Sequence, residues 1–405
     1  MPRIGSGGAP LDPIQNPYAP GAGTLPPALV GRDRELERFD FLIGRLGRGG
    51  SEKSLVLHGL RGVGKTVLLT EFASRAERAG WSALRHEWRR ESDFRTAIAR
   101  LVGAAIAAHE RPGRVRRALR RARGALGSFT TAISTEGQVS VGFQWEPERG
   151  LADSGELEQD LGELLAELGA LAAESDSGVV LLFDELQLLG LEELEGLVAA
   201  LHRLAQERLP VAMVAAGLPT LPGLLLEAKT YAERLFGFPA LGALAPEASE
   251  RALREPAAEL GVSFSDEAIA AIMAESGGYP YFLQEWGKAA WNAARGGAID
   301  REAVAVAEAV VAEELDEEFF GLRMERASGA ELALCVALAG VGEGPQPIRE
   351  VAAAMGREPK ALSPARAGLI RKGLVYPAGR GEVAFTVPHF GRYLRRRVPG
   401  GAEHR

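Results

Sequence analysis

The stretch Ser54-Leu55-Val56-Leu57-His58-Gly59-Leu60-Arg61-Gly62-Val63-Gly64-Lys65-Thr66 constrains the fold of this chain more than any other. An apolar run leads into Gly-x-x-x-x-Gly-Lys-Thr, and a helical pattern follows from Val67 to Arg78. The order is strand, glycine-rich turn, helix N-terminus. Gly59, Gly62 and Gly64 permit backbone conformations and close approaches that a Cβ blocks. The N–H groups of the turn, those of Leu60, Arg61 and Val63 included, join the positive helix end at Thr66 and Val67 in a cradle for anionic oxygens.

This is the P-loop pattern, and it predicts an α/β core with a parallel sheet that binds a nucleoside triphosphate. Lys65 is expected to reach the β- and γ-phosphates of ATP, and Thr66 to place its hydroxyl on Mg²⁺. A glycine-rich turn arising by chance is the alternative, disfavoured because both flanks read correctly. Downstream, Val179-Val180-Leu181-Leu182-Phe183 runs into Asp184-Glu185. Five apolar residues ending in two carboxylates mark a buried parallel strand with a catalytic edge, the Walker B pattern. Asp184 is the expected Mg²⁺ residue and Glu185 the one that polarises the attacking water.

The sequence has 405 residues, enough for two or three domains, and its 46% hydrophobic fraction supports substantial cores. A net charge of −7 argues against general coating of nucleic acid. The single cysteine, Cys335, permits neither an internal disulfide nor a cysteine-based metal site. No apolar run is long enough to span a bilayer and no signal-peptide core opens the chain, so a soluble cytoplasmic protein with no membrane partner is expected.

Upstream of the P-loop lies Leu29-Val30-Gly31-Arg32-Asp33-Arg34-Glu35-Leu36, opening a helix to about Leu46. With that box, the chain resembles AAA+ ATPases of the replication-initiator type and their relatives, the STAND signalling ATPases. The resemblance covers about residues 29 to 397. It implies that Val30, Gly31 and Arg32 line the adenine pocket, with Asp33 standing where the families usually carry Glu. It also implies a polar sensor at the tip of the strand Val211–Ala216. That tip reads Ala215-Ala216-Gly217-Leu218-Pro219-Thr220, with only Thr220 to offer. Arg234 matches the arginine that acts across a subunit interface, which implies a homo-oligomer; a surface arginine paired with Glu233 or Glu227 is the other reading. Gln187 continues the Asp-Glu-x-Gln form frequent in the resembled group. In the helical lid, the segment Gly277-Gly278-Tyr279-Pro280 replaces the usual sensor arginine with the Gly-x-Pro of STAND ATPases, where the proline packs on the nucleotide. Pro388-His389-Phe390 loosely matches an element whose histidine reaches the bound diphosphate, and a buried or surface histidine is favoured over that role.

The coarse division is a flexible Pro/Gly-rich arm over 1–28, pinned near Asn16-Pro17-Tyr18, and an ATPase core over 29–245. A helical lid and connector follow over 246–326, then a winged helix over 327–405. Residues 111–150 read as an insertion without an assigned task. Seven arginines fall among the thirteen positions 111–123, and a solvated helix face with Val115, Ala118, Leu119 and Ala122 buried is favoured over a nucleic-acid contact. From Phe129 to Trp145 the pattern turns polar and alternating, and 138–143 are expected to form one arm of a hairpin. From Ser328 onward, twelve Lys/Arg stand against six Asp/Glu, a balance of +6. Lys360, Arg366, Arg371 and Lys372 on the third helix, with Arg380 at a wing tip, could meet duplex DNA. Two readings stay open: an ATP-hydrolysing regulator whose winged helix binds DNA, and a slow ATP/ADP switch whose winged helix docks a protein partner.

Overall fold

The computed structural model describes residues 9–21, 23–109, 116–136, 145–315, 320–321 and 324–397. They form two compact units, one from 33–58 and 65–240, the other from 1–32, 59–64 and 241–405.

The first unit is built on strands β1 (Ser54–His58), β2 (Ser82–Glu87), β3 (Val179–Asp184), β4 (Val211–Gly217) and β5 (Phe236–Gly237). They form one sheet in the order β2-β3-β4-β1-β5, every neighbour parallel. β3 and β4 are buried along their whole length, which is why they read as unbroken apolar runs. The right-handed crossover from β1 to β2 places α2 (Lys65–Arg78) on one face, where α1 (Asp33–Leu46), which precedes β1, packs against it. The connections β2-to-β3, β3-to-β4 and β4-to-β5 run the other way across the sheet. Their helices α3 (Phe94–Ala108), α4 (Arg116–Glu136), α5 (Leu157–Glu174), α6 (Leu191–Gln206), α7 (Leu221–Ala228) and α8 (Ala232–Leu235) therefore cover the opposite face. Stacked rings of Phe39 and Phe72, 4.4 Å apart, join α1 to α2.

The strand-like reading of Phe129 onward is corrected: α4 continues to Glu136, and the hairpin segment 138–143 lies outside the described residues. Ala118, Ala122, Ala125, Leu126 and Phe129 recur at helical spacing and are buried in the core. Arg121 forms an ion pair with Glu167, and Arg123 stands over the Trp145 ring, 5.6 Å from its centroid. Those contacts match the solvated-face reading of the arginine run; Arg111, Arg114 and Val115 are outside the described residues.

The second unit carries α9 (Pro246–Glu259), α10 (Asp266–Ser276), α11 (Pro280–Ala293) and α12 (Arg301–Glu314), with a short parallel pair β6 (Ser263–Phe264) and β7 (Ala298–Ile299). Further on come α13 (Gly329–Val341), β8 (Gln346–Pro347), α14 (Ile348–Ala354), α15 (Ser363–Arg371), β9 (Val375–Gly379), β10 (Glu382–Phe385) and α16 (Phe390–Arg397). β10 pairs antiparallel with both β8 and β9, and Arg380 is exposed in the turn between β9 and β10. One apolar core runs through the unit from Tyr18 to Leu394, with Phe320 stacked on Phe390 and Tyr393 at 5.4 and 4.9 Å. The N-terminal arm is held at more than its one aromatic. Leu11 N donates to Ala294 O at 3.3 Å, Trp291 Nε1 to Asp12 O at 3.0 Å and Asn16 Nδ2 to Lys288 O at 3.0 Å. Tyr18 is buried, and its hydroxyl donates to Leu253 O.

Candidate active site

The parallel sheet brings His58, Asp184 and Gly217, the last residues of β1, β3 and β4, to one edge. β4 and β1 are neighbours whose following helices leave to opposite faces, so their carboxyl ends form a topological switch point, where open α/β sheets bind ligands.

Within this unit the two motifs meet. Thr66 Oγ1 donates to Asp184 Oδ2 at 2.6 Å, across 118 residues of sequence. The other carboxylate oxygen of Asp184 accepts Glu185 N–H at 2.8 Å, and Asp184 O accepts Trp88 N–H at 3.0 Å. Burial pushes the Asp184 carboxyl above the usual aspartate range, against the Thr66 and Glu185 hydrogen bonds and Lys65, which favour its charged form. Lys65, first residue of α2, is buried, so the helix begins two residues earlier than its apolar pattern. Burial also pushes the His58 imidazole down, with the Lys65 charge adding to it and a backbone hydrogen bond to Phe238 opposing. Among the described residues no group of three or more His, Cys, Asp or Glu side chains could hold a metal by itself. The Thr66 hydroxyl and the Asp184 carboxylate are hard oxygen donors, a pair whose chemistry fits Mg²⁺.

The glycine turn, considered inside its own unit, is gripped from three sides. Gly62 and Gly64 have φ of +82° and +90°, and nothing lies within 4 Å of where a Cβ on Gly64 would point. A Cβ on Gly59 would stand 2.2 Å from Leu241 O, so that position excludes every other residue. Arg32 is buried and donates to Val63 O at 3.1 Å and Gly242 O at 2.7 Å. Val30 is buried beside it in sequence, and Gly31, at φ +69°, leaves 2.7 Å between a would-be Cβ and that of Ala248. Tyr281 N donates to Gly62 O at 3.2 Å, directly after Pro280 has opened α11. Arg61 N donates to Thr386 O at 2.8 Å. The Val30-Gly31-Arg32 box, the turn and the Pro280 segment are thus brought together by hydrogen bonds; Leu60 is half-buried between them in sequence, and Val67 is half-buried in α2. His389 has φ +60° and its Nε2 lies 3.0 Å from Ser276 O.

Two candidates fall elsewhere. Arg234 is exposed at the end of α8 and lines a cleft with Ser54 and Val211, the first residues of β1 and β4. That is the sheet edge opposite Asp184, out of reach of the site on its own chain. Thr220 occupies the N-cap position of α7, beyond the β4 tip, without a side-chain capping hydrogen bond. The polar group at that tip is instead Gln187, which sequence reasoning noted only as part of a motif.

The sheet order, the glycine turn and the Thr66–Asp184 pair define a P-loop ATPase fold. Residues 28–214 match the family model of the AAA ATPase domain, and residues 317–394 match that of a domain of unknown function (DUF8462). Among solved structures, the Walker-type ATPase PABY2304 of Pyrococcus abyssi is similar over 91% of this chain and 96% of its own, at TM-score 0.57 and 16% identity. Orc1 of Aeropyrum pernix, solved in complex with DNA, is similar over 92% and 94% at TM-score 0.46 and 17% identity. The RuvB Holliday junction branch migration motor of Thermotoga maritima is similar over 92% and 97% at TM-score 0.45 and 17% identity. No curated protein matches the chain. At 16% identity the likeness to PABY2304 is one of fold. No described helix is long and apolar enough to cross a membrane.

Proposed function

We propose that this chain binds ATP with Mg²⁺, hydrolyses it, and works as a nucleotide-controlled regulator whose C-terminal module contacts duplex DNA. The observation that carries the first part is the 2.6 Å hydrogen bond from Thr66 to Asp184, because it sets a hydroxyl and a buried carboxylate side by side at the end of β3. Thr66 and Asp184 would hold Mg²⁺, whose charge would offset the negative charge that grows on the transferring phosphoryl group. Lys65 holds the β- and γ-phosphates, and the N–H groups of 60–66 cradle them. Glu185 orients a water and draws off its proton as the water oxygen bonds to the γ-phosphorus. The bond from that phosphorus to the β–γ bridging oxygen breaks, leaving ADP and inorganic phosphate. By resemblance, Val30, Gly31, Arg32 and Pro280 are assigned to the base, and Arg234 of a second copy in a homo-oligomer to the transferring phosphoryl group.

The test is Mg²⁺-dependent release of phosphate from ATP by the full chain. Glu185→Gln is expected to keep ATP binding and lose turnover by about a hundredfold or more. Undiminished turnover in that variant removes Glu185 from its assigned role.

The DNA part rests on charge. Order and pairing of α13, β8, α14, α15, β9 and β10 suit a winged helix, with β9–β10 as the wing. Of the five cations read as meeting DNA, Lys360, Arg371 and Arg380 are exposed and Arg366 is half-buried. Lys372 is withdrawn from this set, because it is ion-paired with the buried Glu331. Because a single apolar core joins this module to α9–α12, the full chain is the right object for binding assays. Affinity for duplex DNA should fall steeply with salt, and Arg380→Ala should lower the salt slope by about one. No binding at low salt would leave the second reading, a slow switch that docks a protein. What favours that reading is the β4 tip, which carries no polar side chain from Ala215 to Leu218, together with Pro280 where a sensor arginine is usual.

A further inference from the structure

The chain turns sharply after Asp184. Glu185 takes a left-handed conformation, φ 53° and ψ 34°, uncommon for a residue with a Cβ. A single 3₁₀ turn over Leu186–Leu188 follows, anchored by fully buried Leu186. It sends Gln187 back across the strand ends, where its amide is bound at both ends. Nε2 donates to Glu185 Oε2 at 2.6 Å, and Oε1 accepts Leu218 N–H at 3.1 Å, one residue past β4. A carboxylate can only accept and a backbone N–H can only donate, so the partners fix which way the amide faces. A Cβ on Gly217 would stand 2.3 Å from Gln187 Oε1, so the glycine at the β4 tip makes room for this amide.

We infer that Gln187 is a positioning residue of Glu185, tying its carboxylate to the end of β4 through one side-chain amide. The inference rests on the reading of Glu185 as the group that orients water. It answers a gap in the sequence: β4 ends without a polar side chain, and an amide from the β3 loop reaches its backbone instead. Only an amide serves both partners. A glutamate at 187 still accepts from Leu218 but repels Glu185, and a methionine bonds neither. A displacement of the β4 end is therefore passed to the carboxylate through this amide.

The experiment is steady-state ATP hydrolysis by the full chain with Mg²⁺, comparing wild type, Gln187→Met, Gln187→Glu and Gly217→Ala. Gln187→Met should lower kcat by about ten- to a hundredfold, as losing the partner that orients a reactive group does, with KM for ATP within about twofold. Gln187→Glu, nearly the same size, should lose at least as much, and Gly217→Ala should share the loss by displacing the amide. In a Glu185→Gln background, Gln187→Met should change nothing further, because its effect passes through the carboxylate. A residue needed only for folding would act equally in both backgrounds. Equal factors in the two backgrounds, or an unchanged kcat in both Gln187 variants, overturns the inference while leaving the ATPase reading intact. A wild type that releases no phosphate overturns the ATPase reading and this inference with it.

Discussion

Gly287 and Tyr18 meet so closely that a Cβ on Gly287 would stand 2.7 Å from Cδ1 of the tyrosine ring. The arm is therefore seated by the absence of a side chain on α11 as much as by the presence of one on itself. Gly287→Ala is expected to destabilise the protein by about 1–3 kcal/mol through overpacking, and Tyr18→Ala by about 3–5 kcal/mol through the vacated space. Denaturant titration gives the magnitudes, and hydrogen exchange over residues 9–21 should rise in both. Unchanged exchange there would mean that the arm does not depend on this contact.

The raised Asp184 carboxyl makes stability depend on pH in a set direction. A group whose folded value lies above its unfolded value, here near 3.8, adds stability that is full below that value. The contribution is lost as pH rises through the raised folded value. At neutral pH without Mg²⁺ the buried carboxylate is thus a liability. Asp184→Asn should melt higher than wild type at pH 7 without Mg²⁺, the gap closing in acid, and should lose hydrolysis by two orders of magnitude or so. A lower melting point for the variant at pH 7 would show that the carboxylate's hydrogen bonds outweigh its burial.

Glu331 titrates with the opposite sign. The hydrogen bond from Lys372, then that from Ser328 N, holds its carboxyl below the usual glutamate value near 4.5. It adds stability above that unfolded value, and the contribution disappears as pH falls through the depressed folded value. Lys372→Met should cost about 1–2 kcal/mol at pH 7 and less in acid. Its DNA affinity should equal that of wild type, in contrast to Arg380→Ala. An equal loss of affinity in both would return Lys372 to the nucleic-acid surface.

Cys335 is buried in α13, and burial, with Glu331 nearby, pushes its thiol up to about 12. Iodoacetamide at pH 8 should modify it only as fast as the unit opens. Reaction at the rate of a free thiol in native buffer would contradict that burial.

Local features were the legible ones. The run into Gly59–Thr66 and the run into Asp184-Glu185 are contiguous, and each carries its chemistry within a dozen residues. Gln187 was illegible because its meaning lies in Leu218, thirty-one positions away. The helical continuation of α4 was hidden by Ser128, Thr130 and Thr131, whose polarity mimicked a strand. Their hydroxyls are spent on backbone carbonyls, Thr130 and Thr131 on Gly127 O at 2.9 and 2.8 Å and Ser128 on Glu148 O at 3.0 Å. A Cβ at Gly124 or at Gly127, both within α4, would meet the 145–148 segment at 2.6 Å. Lys372 counted as one of twelve cations until its partner was in view.

The grip on the glycine turn has a geometric result. In a trans peptide the C=O and the N–H of the next residue point in opposite directions. Tyr281 N holds the carbonyl of Gly62 and Arg32 holds that of Val63. The two contacts therefore aim the N–H groups of Val63 and Gly64 without touching them. A guanidinium and a backbone amide, drawn from segments more than two hundred residues apart in the sequence, act as the handles by which those two donors are pointed.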